Sequence, residues 1–184
     1  MTTLQHCKTA TIVAALFAAS GAFAAGTISK ADYATGKDRV SAEYKAEKAA
    51  CATFSGNQKD ICREQAKGKE KVARAELDYN LTGSAKDAKN LAVVKADADY
   101  AVAKEMCDDK AGNSKDVCVA EAKATHTKAL ADVKLTEKLG EARKDAVNDK
   151  MDANYKVAAE KCDALAGDAK AACIADAKMR FSKS

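Results

Sequence analysis

The chain has 184 residues with 31 Lys and Arg, 27 Asp and Glu, and a formal net charge of +4. The two signs are interleaved along the sequence, which argues against a nucleic-acid-binding surface, because such a surface needs clustered basic residues. Alanine is abundant and Trp and Pro are absent. This composition favours slender helices with a thin core, which cross-links would have to reinforce.

The segment Met1–Ala24 has the layout of a secretory signal peptide. Lys8 precedes an apolar run over 11–20, and small residues follow up to Ala24. We expect cleavage after Ala24, since Ala22 and Ala24 occupy the −3 and −1 positions. The run is shorter than the roughly 20 residues of a membrane span. A buried N-terminal helix or an uncleaved anchor are the alternatives. The mature chain, without a second apolar run, is expected to be a soluble periplasmic protein.

Three segments of the mature chain align without gaps. They share the pattern Y-x6-C-x4-G-[ND]-x-K-x2-C-x3-A-K, and they are Tyr44–Lys67, Tyr100–Lys123 and Tyr155–Lys178. Repeats of this length are typical of helical arrays. We predict an all-α fold of three tandem αα-hairpins over 25–83, 84–139 and 140–184. The six expected helices are 29–55, 57–82, 85–111, 113–138, 141–166 and 168–182. They could form a compact bundle or an elongated array.

Each repeat carries its own turn. A glycine follows the first cysteine by five residues, and an Asn or Asp comes next; the pairs are Gly56 and Asn57, Gly112 and Asn113, and Gly167 and Asp168. Glycine is preferred just past a helix end, where the backbone becomes left-handed. Asn and Asp are good N-caps for the helix that follows. The spacing therefore predicts two antiparallel helices joined by a very short loop.

The turn decides how the six cysteines after residue 24 pair. In one straight helix, the two cysteines of a C-x10-C pair lie about 16 Å from each other, whereas a disulfide needs Cα atoms within about 7 Å. The turn brings both cysteines of a repeat nearly level on facing helices. Of the 15 arrangements that six cysteines allow, we predict the local one, Cys51–Cys62, Cys107–Cys118 and Cys162–Cys173. Zinc and redox motifs use closer spacing, so we expect no metal there.

Small and apolar residues form helical stripes that run away from each bridge. On the return helix of the second repeat the predicted stripe is Cys118, Ala122, Thr125, Ala129 and Val133. A tyrosine lies seven residues before the first cysteine of every repeat. We expect these tyrosines to pack over the seam between the two helices.

Few residues of the sequence are candidates for a catalytic site. His126, the single histidine after residue 24, has no counterpart in the other repeats, and we interpret it as solvated. The acidic pairs Asp97/Asp99 and Asp108/Asp109 are interpreted as solvated helix charge, because catalytic carboxylates need a pocket that shifts their pKa values. We expect no enzyme activity, no cofactor and no metal.

One repeated position lacks a structural reason in the sequence. Lys59, Lys115 and Lys170 each lie three residues after the turn glycine. A cation in the first turn of a helix opposes the helix dipole. We therefore regard these lysines as candidate contacts at the hairpin tips.

The C-x4-G-[ND]-x-K-x2-C-x3-A-K units resemble Ala/Lys-rich exported proteins of proteobacteria with repeated C-x10-C hairpins, which are sometimes named TolA-like. The resemblance covers most of the chain after residue 24. It implies a periplasmic location and a helical fold, and it transfers no active site.

The expected function is that of a non-enzymatic exported protein, structural, stress-related or binding a protein partner, since repeat arrays bind along extended faces. The alternative is a chaperone-like or metal-buffering protein of the periplasm.

Overall fold

The computed structural model describes residues 28–182, so the predicted signal peptide lies outside the described residues. The fold is all-α over this range. The helices are α1 Lys30–Ala50, α2 Gly56–Thr82, α3 Ala85–Met106, α4 Gly112–Cys162 and α5 Gly167–Arg180. Single turns of 3-10 helix, Cys51–Thr53 and Cys107–Asp109, follow α1 and α3. The all-α prediction is confirmed.

The helix ends differ from the prediction at the turns. Gly56, Gly112 and Gly167 have φ values of 56°, 54° and 57°, so the left-handed conformation was predicted correctly. However, each of these glycines is the first residue of the following helix. The N-caps are consequently the preceding residues, Ser55, Ala111 and Ala166, which are extended and form no side-chain cap. The prediction that Asn57, Asn113 and Asp168 are N-caps is wrong by two residues.

Helix packing is serial. Substantial packing joins α1 to α2, α2 to α3, α3 to α4, and α4 to α5. At the α2–α3 crossing the helices approach so closely that a Cβ on Gly68 would lie 3.1 Å from the Ala98 Cβ. Small residues thus allow close helix contacts. The described helices form an open array in which each one packs against its neighbours in the chain.

The core is as thin as the composition suggests. Its buried residues are small or medium-sized: Val40, Cys51, Ala66, Ala75, Leu77, Ala96, Cys107, Cys162 and Ala177. The largest side chains less than 2% exposed are Cys51, Cys107 and Cys162. Within the described part of the chain, the first cysteine of each disulfide is therefore among the best-buried residues of its hairpin.

Helix α4 takes the place of two expected helices, so residues 28–182 form five α-helices and the expectation of six is wrong. It runs through 51 residues without a break, a length of about 76 Å. The expected boundary at Leu139 and Gly140 lies inside it. Every residue from 138 to 150 is exposed, so this stretch separates the part of α4 that carries α3 from the part that carries α5.

Helix α4 continues through Gly140 because no capping residue follows this glycine. At the equivalent junction between α2 and α3, Gly83 is left-handed with φ 61°, and the Ser84 hydroxyl accepts a hydrogen bond from the Asp87 backbone N–H at 3.0 Å. This pairing stops one helix and starts the next. After Gly140 the chain has Glu141 instead of a capping serine. A glycine alone costs a helix only about 1 kcal/mol, and the helix continues.

Candidate functional site

The hairpin ends carry the three predicted disulfides. Cys51 pairs with Cys62, Cys107 with Cys118, and Cys162 with Cys173, with Cα–Cα distances of 5.6, 5.6 and 5.7 Å. These distances lie in the usual range for a bridge. Disulfides persist in oxidising compartments, so the described part of the molecule fits an oxidising environment of the extracellular type.

The repeated lysine has a partner in two of the three turns. Lys115 Nζ lies 2.8 Å from Asp108 Oδ1, and Lys170 Nζ lies 2.9 Å from Asp163 Oδ1. Each aspartate directly follows the first cysteine of its repeat, so the ion pair spans the turn. The hydrogen bond to Asp108 raises the pKa of the Lys115 ammonium. These two lysines therefore have a structural role, which is to form an ion pair across the turn of their own hairpin.

Lys59 is the exception. The residue that corresponds to the two aspartates in the first repeat is Ala52. Among residues 28–182, no ion pair forms at Lys59.

The first two hairpin tips lie side by side. The Asn57 side-chain amide donates a hydrogen bond of 2.9 Å to the Glu105 backbone carbonyl in the next repeat. This bond holds the start of α2 against the end of α3. Asn57 therefore connects two repeats instead of capping a helix.

His126 is not solvated, which corrects the sequence interpretation. Its side chain is 19% exposed, and Nε2 lies 2.7 Å from Asp97 Oδ1. The imidazole also stacks on the Tyr100 ring, with centroids 4.7 Å apart and an interplanar angle of 18°. The group ties α3 to α4.

The sequence contained a signal for this arrangement. His126 lies four residues after Ala122 and seven before Val133, which is the spacing of the buried stripe. Thr125, which we assigned to that stripe, is exposed. Tyr44, Tyr100 and Tyr155 are all half-buried.

An apolar groove lies between α2 and α3. It has a volume of about 570 Å³ and is open to solvent along one side. Its lining residues are Gln65, Gly68, Lys69, Val72, Ala98, Asp99, Val102, Ala103 and Met106. Met106 is 54% exposed at the end of the groove. The groove can accept an apolar side chain or a short helix, and its charged lining residues, Lys69 and Asp99, are exposed.

The acidic pairs of the sequence do not converge on a common site. Asp97 contacts His126, Asp108 contacts Lys115, and Asp99 lines the groove. No group of three or more His, Cys, Asp or Glu side chains within residues 28–182 is arranged to hold a metal ion. In the same range no helix is both long enough and apolar enough to cross a membrane.

Local hydrogen bonds also shift the pKa values of other groups. The Tyr33 hydroxyl donates to Asp78 at 2.7 Å, which raises the pKa of the phenol. Hydrogen bonds from Thr82 and Ser84 lower the pKa of the Asp87 carboxyl. Both groups stabilise helix contacts or helix ends.

Comparison with known proteins found no matching family model and no significant match among curated proteins or solved structures.

Proposed function

We propose that this chain is a non-enzymatic, exported helical repeat protein of the periplasm that binds a protein partner along its helices. The observation that carries the proposal is the open apolar groove between α2 and α3. In helix-in-groove recognition, an amphipathic helix lays its apolar face into an apolar groove of this kind.

Export is supported by two independent features. The segment Met1–Ala24 has the layout of a signal peptide, and the described residues contain three disulfides. The resemblance to Ala/Lys-rich exported proteins of proteobacteria points to the same compartment.

The distribution of apolar side chains supports binding rather than catalysis. Large apolar residues lie exposed on several helices, among them Met106, Leu139 and Met179. Catalysis would need convergent groups in a water-excluding pocket. A surface of this type is suited to contact along an extended face.

Site-specific photo-crosslinking in the periplasm tests the proposal. A photoreactive residue at Val102 should capture a discrete partner, and the same residue at the exposed Lys71 should not. Val72→Glu, which places a charge in the groove, should remove the Val102 product while the helical content remains unchanged. Absence of a specific product at Val102, or equal capture at Lys71, would contradict the proposal.

A chaperone-like role is the second candidate, because Met106 and Met179 are 54% and 76% exposed and flexible methionines suit promiscuous binding. It predicts that the purified protein suppresses aggregation of a reduced client, and that Met106→Lys together with Met179→Lys weakens this effect. A flat aggregation assay would remove this candidate.

A further inference from the structure

Helix α4 has an exposed apolar stripe on the side that faces away from α3 and α5. We call it the outer stripe, and at about 100° per residue its members lie within one narrow sector. They are Val117, Ala124, Ala131, Leu135, Leu139, Ala142, Ala146, Ala153 and Val157, all exposed. Leu135 and Leu139 are 57% and 62% exposed. His126, which contacts α3, lies on the opposite side of the helix.

Helices α2 and α3, which correspond to the two halves of α4, show what packs on the equivalent face elsewhere in the chain. Extending the offsets between the repeats, 56 residues from Cys51 to Cys107 and 55 from Cys107 to Cys162, along the flanking helices relates the first half of α4 to α2 and its second half to α3. In α2 and α3 the corresponding faces pack against each other, with Gly68 against Ala98. The counterparts of this pair on α4 are Ala124 and Ala153. The outer stripe therefore carries the counterparts of both sides of this close α2–α3 contact on one straight helix.

The residues of one ion pair between α2 and α3 also have counterparts on α4. Lys95 Nζ lies 2.9 Å from Glu76 Oε1 across the α2–α3 interface. The counterparts of these residues are Lys150 and Asp132, which have the same signs and lie on the same side of α4. Along a straight helix they are about 27 Å apart. Within the described range neither side chain has a partner, and a straight α4 cannot bring them together.

We propose that a second copy of this chain covers the outer stripe, with the two α4 helices antiparallel. In this arrangement the first half of one α4 packs on the second half of the other, as α2 packs on α3. Ala124 faces Ala153 of the other copy, and Asp132 pairs with Lys150. The two-fold axis passes near Leu139 and Gly140, so every contact forms twice and the assembly closes as a dimer.

The uninterrupted α4 favours two copies over one folded-back chain. A fold-back would need a helix break at Gly140, where the chain lacks the serine cap that Ser84 provides between α2 and α3. Exchange of equivalent elements between two copies keeps the helix intact and satisfies the same interface. Polar substitutions weaken the contact, because Val72, Val94 and Met106 correspond to Lys128, Asp149 and Lys161. We expect a dissociation constant on the order of micromolar, the weak end of the range for protein interfaces.

Charge exchange tests the interface. Sedimentation velocity of the mature, oxidised protein should show a concentration-dependent monomer–dimer equilibrium. Asp132→Lys and Lys150→Asp should each weaken dimerisation by roughly tenfold, and the double exchange should restore it. Lys144→Asp, on the opposite side of α4, serves as the control and should change little. A protein that stays monomeric at all concentrations overturns the proposal, as does a dimer that is indifferent to both single exchanges.

Cross-linking tests the direction of the helices. Ala124→Cys in one copy and Ala153→Cys in the other should give a cross-linked dimer on mild oxidation, with the three native bridges verified by peptide mapping. Ala124→Cys alone should not cross-link. If Ala124→Cys cross-links to itself, the helices are parallel and the proposal is wrong. If a chain with both substitutions cross-links within a monomer, α4 folds back, and this outcome also overturns the dimer.

Discussion

The His126 imidazole stacks on the Tyr100 ring and contacts the Asp97 carboxylate at 2.7 Å, so one side chain of α4 engages two residues of α3. Stacked aromatic pairs contribute about 0.5–1.5 kcal/mol beyond the area that they bury. In a protein with so few large buried side chains, this group is a principal contact between the two helices.

Replacement of His126 is the first test. His126→Ala should lower the free energy of unfolding by about 1–2 kcal/mol, since both the stacking and the polar contact are lost. His126→Phe should lose less, because the ring stacking remains. Urea denaturation followed by circular dichroism measures both. Thr125→Ala, at the exposed neighbour, is the control; a loss at Thr125 as large as at His126 would contradict this assignment.

Two glycines in helices should respond in opposite directions to alanine. Gly140→Ala meets nothing within 4 Å and should stabilise the protein by about 0.5–1 kcal/mol through the higher helix propensity of alanine. Gly68→Ala places its Cβ 3.1 Å from the Ala98 Cβ. A Cβ atom is fixed by the backbone, so neither side chain can rotate to relieve this contact. We expect α2 and α3 to separate slightly and stability to fall by about 1 kcal/mol. Thermal denaturation compares the two variants, and a stabilising Gly68→Ala would show that the contact is loose.

Loss of the third disulfide, Cys162–Cys173, should unfold the helix next to it, α5. Within the described residues α5 has 14 residues and packs substantially on α4 alone, and an isolated helix of this length is marginal in water. Replacing Cys162 and Cys173 by alanine removes about 2–3 kcal/mol of loop-closure stabilisation.

We therefore expect α5 to unfold in the Cys162/Cys173 double variant while α1–α3 persist, which hydrogen exchange resolved by residue would detect. The same replacement of Cys107 and Cys118 is the matched control and should leave α3 helical, because α3 also packs on α2. Full protection of 167–180 without the third bridge would disprove the expectation.

Asp87 provides a pH test. Its carboxylate accepts hydrogen bonds from the hydroxyls of Thr82 at 2.5 Å and Ser84 at 2.8 Å, and these lower its pKa below the usual value of 3.8. A folded-state pKa below the unfolded one means that the stabilisation is present above the unfolded pKa and is lost as the pH falls through the folded pKa. NMR titration of the Asp87 side chain should show the lowered pKa. Thr82→Val and Ser84→Ala should each move the pKa back towards that of an unfolded peptide, and an unchanged pKa in both variants would refute the assigned cause.

The disulfide pairing could be predicted because the spacing leaves one local solution. Two cysteines with a sequence separation of 11 can be bridged only across a turn, and Gly56, Gly112 and Gly167 placed the turns. Other features depended on contacts that local sequence does not encode. Asn57 looked like a cap, yet its amide bonds Glu105 of another repeat. His126 looked isolated because its partners, Asp97 and Tyr100, lie on the preceding helix.

The continuity of α4 shows a different limit of sequence reasoning. Gly83 and Gly140 occupy similar places in the repeats, but only the first is followed by a capping serine. Ser84 caps the helix that follows Gly83, whereas Glu141 follows Gly140 inside a straight helix of 51 residues. Repeat symmetry suggested six helices because it treated the two junctions as alike.

The burial of Cys51, Cys107 and Cys162 has a consequence for the timing of folding. Since these side chains are the largest of the best-buried residues, the packing at each hairpin end is completed only when two thiols lose their protons and electrons to an oxidant. While the thiols are reduced, each hairpin depends on its remaining helix contacts, such as the stacking of His126 on Tyr100, and on helix propensity. The redox potential of the surroundings then decides whether this packing can be completed, since disulfides persist only in oxidising surroundings.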